Sequence, residues 1–140
     1  MAEEIIVGLF PCTFAEGGEC TVPAGSRVVL ALGWVATNRG LVQNFLQAQT
    51  TTISIDGAAA PVDISDSYSA IEPFPDGGFA SRIRHDTGVT LSAGESLQVD
   101  GMLAVSHVVP DGAVDETTHR PVFFRPEEPL SIHCRITASA

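Results

Sequence analysis

Turn-forming residues recur along this chain at intervals that leave room only for short segments between them. The turn signals are "EGGE" at 16–19, "PAGS" at 23–26, "DG" at 56–57, "DGG" at 76–78, "AGE" at 93–95, "DG" at 100–101 and "PDG" at 110–112. Between them lie short β-branched or alternating runs, a pattern typical of an all-β sandwich or barrel. At 140 residues the chain suits a single domain spanning 1–140 with one core. We predict strands near 4–10, 20–22, 26–36, 50–56, 61–64, 79–85, 89–91, 96–108, 121–124 and 130–138.

One predicted strand, "SRVVLALGWVA" at 26–36, is apolar on both of its faces. One alternation holds Val28, Leu30, Leu32 and Trp34, and the other holds Val29, Ala31 and Val35. A strand covered on both faces has this pattern, so we place it centrally in its sheet. Trp34 is then a core anchor, and the alternative is a surface ring that stacks on a ligand.

A different periodicity appears in "TNRGLVQNFLQAQ", where Leu41, Val42, Phe45 and Leu46 form one stripe of a helix. We predict a short helical insert near 38–48, about two turns long, with Thr37 or Asn38 as its N-cap. The stripe suits the closure of one end of the sandwich. A helix that docks a partner is the alternative.

The charge balance argues against two classes of partner. Lysine is absent, and seven arginines face 17 acidic residues, which gives a net charge of −10. This acidity repels phosphate backbones and anionic lipid, so we expect no nucleic acid partner and no membrane insertion.

The first residues, "MAEEIIVGLF", are too short and too acidic for a secretory signal, and no apolar run reaches membrane-spanning length. Met1 and Ala2 can equally be a start that replaces a removed signal. Our expectation is an extracellular or cell-surface protein whose signal peptide is absent from this sequence. Cytoplasmic and virion locations are the alternatives.

Two segments share a turn followed by a long strand. The segment "VTLSAGESLQVDGMLAVSHVVPDG" (89–112) has a turn of the form Leu-x-x-Gly-Glu-Ser, and "TVPAGSRVVLALGW" (21–34) is similar in style. They resemble the paired strands of bacterial extracellular immunoglobulin-like modules. The resemblance implies an immunoglobulin-like antiparallel β-sandwich with an adhesive, spacer or carbohydrate-associated role, and it implies no functional residues. The helical insert and the stretch 70–88 depart from the plain module.

The run "LSIHCRI" at 130–136 sets His133 beside Cys134. Neighbouring residues of a strand point to opposite faces, so we expect Cys134 in the core and His133 outside, unable to act together. The three cysteines, Cys12, Cys20 and Cys134, allow three single pairings. We predict one disulfide among them, and three idle thiols in a reducing compartment are the alternative.

The sequence shows no pattern of a metal site, a cofactor site or a catalytic site. His85, His107, His119 and His133 are scattered, and no Cys-x-x-Cys, Gly-x-Ser-x-Gly or phosphate loop occurs. The alternation through 97–109 predicts that His107 points inward as a hydrogen-bonded core group. The acidic stretch 110–119 is expected to be a solvated turn, with calcium as the alternative. We therefore expect no enzyme activity, no metal and no cofactor.

Aromatic and arginine side chains near two loops are candidate interface residues, because these types are enriched in protein interfaces. They are Phe74, Arg120, Phe123, Phe124 and Arg125. Strand alternation sends only one of Phe123 and Phe124 into the core.

The sequence thus favours a non-catalytic surface, structural or adhesive module whose partner is protein, either a second copy or a surface partner. One alternative is a carbohydrate- or small-ligand-binding module with Phe74, Tyr68 or Trp34 as stacking groups. Another is a structural component of a virion or a secreted assembly.

Overall fold

The structure is a computed structural model that describes residues 3–57, 61–75, 77–114 and 121–140, with the backbone alone for 113–114 and 121–123. The strands of the described chain are β1 Glu4–Gly8, β2 Glu19–Val22, β3 Ser26–Ala36, β4 Gln49–Ile55, β5 Val62–Asp63, β6 Glu72–Pro73, β7 Phe79–Leu91, β8 Ser96–Val105, β9 Val109–Val114, β10 Pro121–Phe124 and β11 Leu130–Ala138. Two α-helices, α1 Leu9–Phe14 and α2 Arg39–Ala48, and two 3₁₀ turns, Glu16–Gly18 and Ser65–Ser67, lie between them.

The strands form two main sheets that pack face to face. The first sheet has the order β1-β3-β7-β6, the second has the order β2-β11-β8-β4-β5, and β9 and β10 pair as a separate ribbon. The largest core cluster takes buried residues from both sheets, among them Leu30 and Ile83 from the first and Val99 and Ile136 from the second. The expectation of an all-β, two-sheet architecture is confirmed.

The pairing is not wholly antiparallel, which corrects one part of the predicted fold. β1 runs parallel to β3, and β2 runs parallel to β11. The cause is the path of the chain near its start. After β1 the chain leaves the first sheet, passes through α1, and enters the second sheet as β2, so β1 and β2 are edge strands of different sheets.

β3 is a central strand, as its sequence predicts, with β1 on one side and β7 on the other. Its inner alternation is packed into the core, where Val28, Leu30 and Leu32 are buried. The outer alternation is covered less evenly. Val29 is buried, but Val35 is 46% exposed.

The predicted helical insert is confirmed as α2, which at ten residues is longer than the two turns expected. Asn38 is the N-cap, and its Oδ1 accepts a hydrogen bond from the Leu41 N–H at 3.0 Å. Val42, Phe45 and Ala48 are buried. Phe45 lies in a second core cluster with residues of β8, β9 and β10, so the apolar stripe of the helix closes this end of the sandwich.

Several predicted boundaries are wrong for identifiable reasons. The first strand ends at Gly8, because Leu9–Phe14 forms a helix too short to show a periodicity. The predicted strands 79–85 and 89–91 are one strand, β7. The predicted break between them is an irregularity in the β3–β7 register, where Gly88 takes a φ of 69°. The predicted strand 96–108 ends at Val105, and β6 and β9 were not expected.

The Asn38 cap gives a direct test of the helix. Asn38→Ala should lower the free energy of unfolding by about 1 kcal/mol, because the Leu41 N–H loses its acceptor. Asn38→Asp, which keeps a carboxylate oxygen at the same place, should retain most of the stability. Urea denaturation followed by circular dichroism measures both, and equal stability of all three proteins would contradict the cap.

Candidate functional site

The adjacent residues His133 and Cys134 lie on opposite faces of β11, as the alternation predicts. Cys134 is 0% exposed and faces the core. His133 is exposed, and its Nδ1 lies 2.6 Å from Asp100 Oδ1 on the neighbouring strand β8. His133 and Cys134 therefore cannot act together on one substrate.

Cys134 instead forms a disulfide with Cys12, and this settles which of the three pairings the structure holds. The two Cα atoms are 5.6 Å apart, although 122 residues separate them in the chain. Cys12 lies on α1, which packs against β11. The bond therefore fastens the segment that crosses between the sheets to the last strand of the second sheet.

The third cysteine, Cys20, is brought to the same place by a glycine turn. Gly17 and Gly18 take φ angles of 70° and 65°, a region that glycine adopts without steric cost, and they direct the chain into β2. In the parallel pair, Cys20 lies beside Ile136. Ile136 shares the inner alternation of Cys134, so Cys20 faces the same side of the sheet.

The three sulfur atoms therefore converge. All three Sγ atoms lie within 4.8 Å of one another, and Cys20 Sγ is 2.8 Å from Cys12 Sγ. A cavity of about 290 Å³ borders this cluster, with Cys12, Cys20, Pro11 and Ala15 in its lining. The residue pattern allows three candidate pairings but holds no signal that all three cysteines meet.

The chemistry of the cluster depends on its oxidation state. Three free thiols this close would suit a soft cation, but the disulfide uses two of the sulfurs and leaves Cys20 as a half-buried thiol. Burial raises the pKa of the Cys20 thiol, so it is protonated at neutral pH. In this form the cluster holds a thiol against a disulfide, which is the arrangement for sulfur exchange.

A second feature lies on the outer face of the first sheet. Among the described strands, none pairs with β3 beyond Ala31 on the side of β1, since the last partner there is Gly8. A cavity of about 350 Å³ fills this space, between Phe10 and Pro11 on one side and Phe74 on the other. A second cavity of about 460 Å³ shares Val35 and Phe74 with the first. We call these adjoining cavities the β3 groove.

The charged strand residues on the outer face of the first sheet balance, and Asp111 of β9 also lines the β3 groove. By strand register, Glu4, Arg27, Glu72, Arg82, Arg84 and Asp86 share the outer face of the sheet. Ion pairs join Arg27 to Glu4 and to Asp86, and Arg82 to Glu72. Three cations and three anions give this face no net charge, although the whole chain carries −10.

The predicted interface residues have separate positions. Phe74 is half-buried in the β3 groove, with the Arg82 guanidinium 5.5 Å from its ring centre. Phe124 is buried and lies 5.6 Å from Trp34, so it belongs to the core of this chain. Arg125 is exposed. Arg120 and the side chain of Phe123 lie outside the described residues.

The other aromatic candidates are used in packing. Trp34 stacks on Phe45 at 4.6 Å, and the Tyr68 ring meets Phe45 edge-on at 5.6 Å. The Tyr68 hydroxyl lies 3.1 Å from Thr51 Oγ1, and burial raises the pKa of Tyr68 to about 12. Both rings are engaged in packing within this chain, and of the stacking groups named for carbohydrate, Trp34 and Phe74 also line the β3 groove.

The inward placement predicted for His107 is wrong. β8 ends at Val105, and the alternation does not continue past it. His107 is exposed in the turn before β9, with its Nε2 2.7 Å from Asn44 Oδ1. The predicted acidic turn is also partly a strand, because β9 extends to Val114. Residues 115–119 of that stretch lie outside the described residues.

Comparison with known proteins returns no relative: no protein-family model, no curated protein and no solved structure matches the chain. Of the helices within the described ranges, none is both long and apolar enough to cross a membrane.

The disulfide yields a stability prediction. Replacing Cys12 and Cys134 together by alanine should lower the free energy of unfolding by about 2–5 kcal/mol, because the unfolded chain loses a long crosslink. Cys20→Ser should change it little. Peptide mapping under non-reducing conditions checks the pairing, and a crosslink that excludes Cys134 would contradict it.

Tyr68 is the only tyrosine, so ultraviolet absorbance reports its ionisation alone. We expect a midpoint near pH 12 in the folded protein, against 10.0 in the unfolded chain. Since the folded pKa is the higher one, the stability from the neutral phenol is fully present below pH 10 and is lost as pH rises through about 12. A titration in urea is the control. A midpoint near 10 in protein that circular dichroism shows to be folded would contradict the burial.

Proposed function

We propose that this chain is a non-catalytic β-sandwich module that associates with protein, specifically with a second copy of itself, through the β3 groove. The observation that carries the proposal is the exposure of the outer alternation of β3 near its end, at Val35. The sequence of this strand is that of one buried on both faces, yet the described chain leaves Val35 46% exposed.

The composition of the β3 groove supports an interface. Its floor and walls include Ala31, Gly33, Val35, Pro11 and Phe74. Contiguous apolar surface bordered by polar groups marks interaction sites on soluble proteins. Arg82, which stands over Phe74, lies at the border and is of a type enriched in interfaces.

The charge distribution favours a second copy as the partner. Two chains of charge −10 repel each other over most of their surfaces. The strand residues on the outer face of the first sheet carry no net charge, so a copy can approach them without the repulsion that the net charge of −10 produces elsewhere. A two-fold pairing brings the same patch of both copies together and so covers Val35 on each.

The location and the finer fold class belong to the same proposal. The Cys12–Cys134 disulfide supports an oxidising compartment, outside the cell or on its surface. There an immunoglobulin-like module would serve a structural or adhesive role.

The absence of catalysis is also proposed, and the described titratable groups support it. The shifted pKa values belong to Cys20, Asp63 and Tyr68, and each has a structural cause. Burial raises the pKa of Cys20 and Tyr68, and hydrogen bonds from Ser65 lower the pKa of the exposed Asp63 carboxyl. None of the described cavities is lined by all three of these groups.

Sedimentation equilibrium over a wide range of concentrations tests the association. The wild-type mass should rise towards that of a dimer. Val35→Glu should weaken the dimer about tenfold or more, because the new carboxylates would be desolvated and the two-fold pairing would bring one from each copy into the interface. Val62→Glu is the matched control: Val62 is 53% exposed on the edge strand β5 of the other sheet, and its change should leave the dimer intact. A monomer at every concentration, or equal effects of both variants, would contradict the proposal.

A further inference from the structure

The three cysteines offer a chemistry that association does not use. Cys20 Sγ lies 2.8 Å from one sulfur of the Cys12–Cys134 disulfide, and all three sulfurs are within 4.8 Å. We propose that Cys12, Cys20 and Cys134 form an internal thiol–disulfide exchange site, in which Cys20 attacks Cys12 and displaces Cys134.

The exchange balances without any outside reagent. Cys20 loses its proton to water or hydroxide, and the thiolate forms a bond to Cys12 Sγ. The Cys12–Cys134 bond breaks, its electron pair leaves with Cys134 Sγ, and that sulfur takes up a proton. One disulfide and one thiol are present before and after, so the chain is neither oxidised nor reduced.

The surroundings of the cluster decide which sulfur starts the exchange. Cys20 is half-buried and lines the cavity of about 290 Å³, so base can reach it. Cys134 is fully buried. Charged groups of the packed elements do not face the cluster: α1 carries none, and Glu19 and Arg135 lie on the outward alternation of β2 and β11. Burial of Cys20 keeps it protonated and makes the step slow at neutral pH.

The Cys12–Cys134 disulfide and the Cys12–Cys20 disulfide that exchange would form depend differently on the packing of β11. The Cys12–Cys134 bond closes a separation of 122 residues, and a Cys12–Cys20 bond would close one of only 8. Loop-closure entropy favours the short loop by about 60-fold in an unfolded chain. The long crosslink prevails only when β11 is packed against α1, so the position of the disulfide reports whether the last strand is in place.

A label-transfer experiment tests the exchange in the folded protein. Wild-type protein is first held in urea at about pH 8 without added thiol, which should leave the Cys12–Cys20 form with Cys134 free. It is then refolded by dilution, and samples are quenched in acid. N-ethylmaleimide is added in denaturant, and peptide mapping gives the fraction of label on Cys20 and on Cys134.

On refolding, the free Cys134 thiolate attacks Cys12 and displaces Cys20, which is the proposed step run in reverse at the same three sulfurs. We therefore expect the label to move from Cys134 to Cys20 in a first-order process whose rate does not depend on protein concentration. The rate should fall about tenfold for each pH unit towards acid, because only the Cys134 thiolate attacks. Label that stays on Cys134 after refolding, or a rate proportional to concentration, would overturn the proposal.

Two variants keep the test independent of refolding yield. Cys134→Ser should form the Cys12–Cys20 disulfide and carry no free thiol, whereas two free thiols after mild oxidation would overturn the proposal. Cys20→Ser should retain Cys12–Cys134 through the whole protocol.

Val35→Glu should transfer its label at the wild-type rate, so a failure of the proposed association does not affect this result.

Discussion

The passage of the chain from the first sheet to the second, between Gly8 and Glu19, is the constraint on which both candidate sites depend. β1 must end at Gly8 so that the chain can cross, and β3 therefore loses its neighbour beyond Ala31. That loss leaves the space of the β3 groove. The same crossing carries Cys12 on α1 and delivers Cys20 at the start of β2, where both meet Cys134. One local change of direction thus produces an apolar groove on one side and a sulfur cluster on the other.

The crossing is held from both ends. β1 is paired to β3 in the first sheet, and β2 is paired to β11 in the second. The disulfide adds a covalent link between α1 and β11, and it constrains the unfolded chain more than a short loop would. The N-terminal segment and the last strand are therefore stabilised as a unit, which explains why exchange of the disulfide would be coupled to the docking of β11.

One end of the sandwich is closed by aromatic packing. Phe45 of α2 contacts Trp34 and Tyr68, and Phe124 of β10 packs on Trp34. These contacts hold the aromatic rings inside the chain, and they leave Phe74 and Val35 in the lining of the β3 groove. The proposed function follows from what this packing leaves exposed on the outer face of the first sheet.

The sequence by itself determined the elements whose pattern is local. The two-sided apolar pattern of 26–36 predicted a central strand, the stripe through Val42 and Phe45 predicted a helix, and the alternation of 130–136 separated His133 from Cys134. Such patterns are set by which face of an element is buried, and they are visible over a few residues. The bulge at Gly88 and the six-residue helix α1 are not visible in this way, because the first resembles a turn and the second spans fewer than two helical turns.

Only the tertiary structure decided which distant residues meet. Contacts between segments far apart in the chain pair β2 with β11 in parallel and make Cys134 the partner of Cys12. Such contacts also bury the Phe124 side chain in the core. Residue spacing carries no record of such contacts, because loop-closure entropy depends only on the separation of two residues and does not select which distant strands pair. The convergence of three sulfurs and the groove beside β3 therefore appear only once the two sheets are packed.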